Sequence, residues 1–443
     1  MGGMVVSPSG RTITNLYIRG GTVAFVDDAV HEAIETIDAV GFLVLPGMVD
    51  THVHLMDPGD STREDFPSGS AAAAASGVTT IIEHTHGWPL RSVEDLDEKV
   101  AHLTGRSKVD FGLAAHVWAD RVSEMLSLWE AGVAFFKIFT CTTHGVPAIE
   151  GETLTTVLEE ITRFGGNSLI HCEDESLTLE AEQRLRQEGR SDPGLLIDWR
   201  NREAEEVAAA AVIILARHTG ARATIAHVST PRVAALVAAA RAEGADVVAE
   251  GCPQYFHLRE EEVHAAGALR KFTPPARIRS DEEHRDMWDL LRAGAFSHIS
   301  TDHAPSTLEQ KTSGTIWEVH FGLPGLDTTM PLLMTAAVEE HLSWEDVVKL
   351  YAESPARRYS LHPAKGHLAV GADADFLLVD PERSWTVGQR PYLSKAGWSP
   401  YEGTQVRGWV HAAYQRGSLI AVDGVPLEHF NGRFLARATH DRL

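Results

Sequence analysis

Residues 43–55, LVLPGMVDTHVHL, form an apolar run broken at Pro46-Gly47 and ending in two histidines two positions apart. In a strand, residues i and i+2 share a face, so His52 and His54 are expected to point the same way. A histidine pair alone carries little weight. With 23 histidines in 443 residues, one His-x-His is expected about once by composition, and a second, His84-Thr85-His86, is present. The first pair matters because other strand-like runs end the same way: Lys137 in VAFFKIFT, His171 in NSLIHCED, His227 in ATIAHVS and Asp302 in SHISTDHAP. A barrel of parallel strands brings its strand ends to one rim, so this order reads as one polynuclear metal site.

Working outward, eight β-like runs fall at roughly 44–55, 79–84, 110–117, 133–140, 167–174, 222–228, 246–252 and 297–302. Between them lie amphipathic segments with apolar residues at helical spacing, such as Val93 to Leu103, Leu154 to Phe164, Glu203 to Thr219 and Arg232 to Glu243. Strand and helix alternating in this way predict an α/β chain folded as a (β/α)8, TIM-like barrel. Such a barrel takes about 250 to 300 residues, which leaves a second module to be explained. Short alternating runs occur at both ends, including Leu16 to Ile18, Val23 to Val26, Asp375 to Val379 and Val410 to Tyr414. They predict a small β-sandwich built from residues 1–46 and 366–443, flanking a barrel over 47–365.

A formal net charge of −23 argues against nucleic acid or an anionic membrane surface as partner. Cys141, Cys172 and Cys252 lie in or beside apolar runs, which suits a reducing cytoplasm better than a disulfide framework. The opening MGGMVVSPSG has no basic segment followed by an apolar one, so no export signal is expected. Ala71 to Ala75 and Ala208 to Ala211 are too short or too closely flanked by charge to span a bilayer.

Taken together, PGMVDTHVHLMDPGDSTREDFPSGSAAAAASGVTTIIE, FFKIFT, HCEDE, AHVST, GCPQYF, FTPPARIR, STDHAP and KGHLAVGADADFLLVDP resemble the cyclic amidohydrolases: allantoinase, hydantoinase, dihydropyrimidinase and dihydroorotase. The resemblance runs from about residue 15 to about residue 425. It implies a two-metal barrel, a sandwich from both termini, and hydrolysis of a cyclic amide C–N bond by a metal-bridging hydroxide. By the same resemblance, His52 and His54 hold the more buried of two divalent ions, expected to be zinc, and His171 and His227 hold the more exposed one. Lys137, carboxylated by carbon dioxide, bridges both, and Asp302 is ligand and base. The family also implies a homo-oligomer, dimeric or tetrameric.

The residue types suit that chemistry. Neutral imidazoles favour zinc and similar borderline ions, and a carboxylate adds charge. A lysine within Phe135-Phe136-Lys137-Ile138-Phe139 is costly to keep charged, so its pKa is expected to fall and free the amine for carbon dioxide. A carboxylate beside an activated water can take its proton and return it to the departing nitrogen.

Four further positions are candidate substrate contacts. Thr142, five after Lys137, stands where many hydantoinases carry a Tyr, and Thr273 precedes Pro274-Pro275, where the family meets the cyclic amide. His86 ends the second strand and His303 follows Asp302. Two departures bear on the substrate. Dihydroorotases place an Arg two residues after the second histidine and a His four residues after the Asp; here those positions are Met56 and Ser306. Losing both removes the evident carboxylate clamp, which favours a neutral cyclic ureide or imide. The segment GLPGLDTTMPLLM, however, is closer to hydantoinases and dihydroorotases than to allantoinases. Dihydroorotate is therefore the alternative substrate. A non-catalytic dihydropyrimidinase-related scaffold is a further alternative, although such a chain would be expected to have lost metal ligands.

Overall fold

The computed structural model describes residues 1–437, so 438–443 of the expected terminal module lie outside the described residues. The barrel strands are β1 Met48–Val53, β2 Val78–Glu83, β3 Asp110–Leu113 with its continuation Ala115–His116, β4 Phe136–Phe139, β5 Asn167–His171, β6 Arg222–Ile225, β7 Val247–Gly251 and β8 Phe296–Ile299. All neighbours pair in parallel, with Met48 opposite Val78, Thr80 opposite Asp110, Lys137 opposite Leu169, Asn167 opposite Arg222 and Ala249 opposite Phe296. Strands β1, β2, β4, β5 and β7 are buried at every residue. This is the double-sided burial that makes parallel strands read as unbroken apolar runs.

The ring closes between β1 and the segment after β8. Thr51 Oγ1 lies 2.9 Å from Ser300 Oγ, and the Thr301 amide donates to Asp50 Oδ1 at 3.1 Å. The His54 amide donates to the His303 carbonyl at 2.8 Å. Closure therefore seats His52, His54 and Asp302 side by side although 248 positions separate the last two.

The expected helices form at Val93–Leu103, Gly151–Arg163, Arg202–Thr219 and Pro231–Ala242. Ser92, Asn201 and Thr230 each cap one by accepting from a first-turn amide. The Ala71 to Ala75 run lies in a buried helix, Phe66–Ala75, capped by Asp65. Among the described residues no helix is long and apolar enough to cross a membrane.

Both termini join one mixed sheet beside the barrel, in the order Val425–Pro426, Ser418–Val422, Gln405–Gln415, Phe376–Thr386, Leu43–Pro46, Gly3–Ser7, Gly10–Arg19, Thr22–Asp27. Leu45 pairs with Leu377 and Met4 with Leu43, so the N-terminal and C-terminal strands interleave. One small core fills it, with Val44, Phe376, Leu378 and Ala412 among its buried members.

The passage from this sheet into the barrel is the Pro46-Gly47 break. A Cβ on Gly47 would sit 2.1 Å from Thr79 Oγ1, so only glycine lets the two layers approach this closely. Lys365 clamps the same junction: its buried ammonium meets Asp110 of β3 at 2.6 Å and Asp373 and Asp375 of the terminal segment at 2.8 Å each. Lys365, with Arg416 on Asp110, thus offsets part of the charge of these three acids.

Candidate metal centre

All six sequence-predicted donors meet at the C-terminal rim of the barrel. His52 Nε2 lies 3.3 Å from Lys137 Nζ and 3.2 Å from Asp302 Oδ1, and His54 Nε2 lies 3.6 Å from the same oxygen. His171 Nδ1 and His227 Nε2 are 3.0 Å apart, and the His227 and His52 rings are 5.5 Å apart between centroids. The five nitrogen donors are at most 2% exposed, and only the Asp302 side chain, at 13%, reaches toward solvent. His227 and Asp302 adopt φ values of 37° and 50°. Such left-handed backbone in non-glycine residues costs about 1–3 kcal/mol each and gathers at functional sites.

The outward side of three of the four imidazoles explains its inward side; the outer Nδ1 of His227 has no hydrogen-bond partner among the described residues. His52 Nδ1 meets Glu250 Oε2 at 2.8 Å, His54 Nδ1 meets the His84 carbonyl at 3.1 Å, and His171 Nε2 meets Glu173 Oε2 at 2.8 Å. Carboxylates and carbonyls accept, so those outer nitrogens carry the protons and the inner ones present lone pairs. Burial above all keeps the rings neutral, with the His54 pKa pushed down to about 3 and that of His227 well below the usual imidazole range. Burial likewise lowers Lys137 to about 8, against the opposing pull of Glu250 and Asp302, and raises Asp302. A ring of inward lone pairs, with two nitrogens facing each other at 3.0 Å, is a donor set built for cations. The residues present therefore fit divalent metal ions.

Sequence reasoning missed the two acids that hold this arrangement. Glu250, at the end of β7, is fully buried and takes both His52 Nδ1 and the His227 amide, the latter at 3.0 Å. Burial opposes its charge, but His52 and His298 hold it well below the usual carboxylate range. Glu173, two residues after His171, is also fully buried, and burial would raise it; Arg200, then His171 and Arg277, hold it at about 2. A lone acid inside the apolar run VVAEG, and another two after a strand-end histidine, were the available signals. Cys141 lies close to His171 and Glu173. Burial pushes its thiol up to about 12.

The four substrate candidates occupy different settings. Thr273 is buried, begins the cis Thr273–Pro274 bond and donates to Glu173 Oε2 at 2.7 Å. His86 is stacked on His144 at 4.7 Å and packs 4.4 Å from the His54 ring, on the solvent side of the cluster. Thr142 lies in an exposed turn, bonded to Glu175 Oε1 at 2.7 Å. His303 is fully buried with both nitrogens engaged: Nδ1 accepts from the Gly325 amide at 3.0 Å and Nε2 faces Glu64 at 3.3 Å. Ser306 and Pro305 receive the Arg63 Nε–H, each at 3.0 Å, so a guanidinium leans on the loop that follows Asp302. Burial lowers its pKa to about 10, with the charge of Asp60 pulling the other way.

Known proteins share this architecture from end to end. The amidohydrolase family profile matches residues 43–420. An allantoinase of Rubrobacter xylanophilus is 34% identical, covering 98% of this chain and 96% of its own. A dihydroorotase of Methanothermobacter thermautotrophicus is 31% identical, covering 96% and 95%. The structure of an L-hydantoinase (dihydropyrimidinase) from Arthrobacter aurescens superposes with a TM-score of 0.93 at 30% identity, covering 98% of each chain. With its barrel, its histidine-rich centre and these full-length relatives, the chain belongs to the amidohydrolase family, as a metal-dependent hydrolase of cyclic amides.

Proposed function

We propose that the protein opens the C–N bond of a neutral cyclic ureide or imide, as an allantoinase or hydantoinase would, at a centre of two zinc ions. His52, His54 and Asp302 would hold one ion, His171 and His227 the other, and Lys137 both, as its carbamate. The observation that carries this reading is the convergence of four imidazoles, one carboxylate and one lysine, with the inner nitrogens of His52, His54 and His171 left as lone pairs by their outer hydrogen bonds. With its pKa near 8, roughly a tenth of Lys137 is free amine at pH 7, far more than an ordinary lysine offers to carbon dioxide. Bound divalent ions supply Lewis acidity to polarise the ring carbonyl and to make a water nucleophilic near neutral pH. Asp302 would take the attacking water's proton on a carboxylate oxygen and return it to the ring nitrogen as the C–N bond breaks. Glu250 fixes the His52 ring and the His227 backbone, and Glu173 fixes the His171 ring, so the donors need not reorganise. His86 and the Thr273 segment are the side chains we place against the ring. The division into a terminal module over 1–46 with 366–443 and a barrel over 47–365 goes with this reading.

One observation favours a second substrate class. The guanidinium of Arg63 beside Ser306 is a cation where the sequence lacks the expected clamp, which would suit a ring bearing a carboxylate, such as dihydroorotate. Turnover of allantoin, hydantoin, 5-substituted hydantoins, dihydrouracil, succinimide and dihydroorotate by the metal-loaded protein decides between them. An unmatched buried carboxylate costs about 3 kcal/mol or more, so dihydroorotate is expected to be at least about a hundredfold less efficient than the best neutral ring. Comparable efficiencies would give the clamp to Arg63 and make dihydroorotate the leading substrate.

A further inference from the structure

We infer that His84, the first residue beyond β2, is an additional metal ligand, a third imidazole on the ion shared by His52 and His54. The inference rests on the two-metal reading above and extends it to a residue outside the six donors. His84 is 1% exposed, and neither of its ring nitrogens has a hydrogen-bond partner among the described residues. Leaving both nitrogens of a buried imidazole unpaired is unfavourable, and an apolar side chain of the same size would avoid that cost. Its ring centroid lies 4.6 Å from that of His52 and 4.5 Å from that of His54. One nitrogen from each of the three rings falls within 4.8 Å of the other two. Ligands on an ion with ~2 Å bonds stand ~3 Å apart, so an ion shared by the three rings would draw them closer than this.

The local chain explains why the ring sits there. The His84 carbonyl accepts from His54 Nδ1 at 3.1 Å, and its amide donates to the Val53 carbonyl at 3.1 Å, which ties β2 to the end of β1. The Phe135 ring packs edge-on at 5.4 Å. A neutral imidazole binds an ion through one lone pair while its other nitrogen keeps its proton, so no proton is released. A third imidazole also shifts preference toward zinc, cobalt, nickel and copper and away from manganese and magnesium.

The test uses the full-length protein loaded with cobalt(II). Imidazoles bound to the paramagnetic ion give exchangeable N–H proton resonances shifted far outside the ordinary range, one per ligand. Five such resonances are expected in the native protein and four in His84→Met, whose thioether fills the space. In a chelator competition, His84→Met should hold the ion of the His52 and His54 site at least tenfold more weakly, and His84→Gln should behave alike. Four resonances in the native protein, or unchanged retention in both variants, would overturn the assignment. Metal content separates this outcome from failure of the underlying reading: a native protein holding fewer than two ions per chain contradicts the two-metal centre, whichever way the His84 resonance count falls.

Discussion

Lys137→Ala is expected to purify folded, with far fewer than two metal ions per chain and without hydrolytic activity. Lys137 Nζ stands 3.3 Å from His52 Nε2, and Glu250 and Asp302 are the anions closest to it in electrostatic effect. If Lys137 carries the proposed carbamate, replacing it with a methyl group would leave two divalent ions facing each other without that anion between them. Two unit charges 4 Å apart repel by about 4 kcal/mol at an effective dielectric of 20, and divalent ions by several times more, so one or both ions should be lost. The fold should survive, because the aliphatic stem of Lys137 is one of many buried side chains in β4 and its neighbours are Phe135, Phe136 and Ile138. Metal analysis and circular dichroism on one preparation check both halves of the expectation. Partial rescue by short carboxylic acids, which can bridge in place of the carbamate, would support the assignment, and full metal content with full activity would refute it.

Asp302→Asn separates holding a metal from moving a proton. The amide keeps the size of the carboxylate and one coordinating oxygen, and the other donors remain, so most of the metal should stay. What would be lost is the proposed base. General acid–base catalysis contributes about two to four orders of magnitude, and kcat should fall by that amount with metal content little changed. Asp302 is the one donor whose side chain is partly open to solvent, and its φ of 50° turns it toward the cluster rather than into a helix cap. Near-normal rates would shift the base role to another group. His303 is poorly placed to take it, since both its nitrogens are already bonded.

Much of the barrel was legible because parallel strands are covered on both faces. MVDTHV, VTTIIE and FKIF lie wholly buried, so they appear in the sequence as unbroken runs, and Val93–Leu103 has the period of a helix with one buried face. The strand Gly3–Ser7 carried no such mark: it is short, and its neighbour Leu43–Pro46 lies some forty residues away in sequence. Likewise β3 is interrupted at Ala114, a detail set by packing and not by residue type.

At the metal centre, histidines at strand ends were visible because strand ends have a place in the sequence. The acids behind them were not: Glu250 meets its partner only through ring closure, and Glu173, although two residues from His171, is set by Arg200 and Arg277 from later in the chain. Glu250 serves His52 across 198 positions, and Arg63 reaches Ser306 across 243. His84 is the intermediate case. The His84-Thr85-His86 pair looked like compositional coincidence, and the fold then set its first ring against His52 and its second on the solvent side, stacked with His144.

The most direct test of the two-metal account is a titration of metal-free protein with zinc in bicarbonate buffer, following ring opening of the best neutral substrate at each addition. The account predicts no turnover without metal and activity that rises until two equivalents per chain are bound. Activity in the metal-free protein, or a plateau reached at one equivalent, would contradict it.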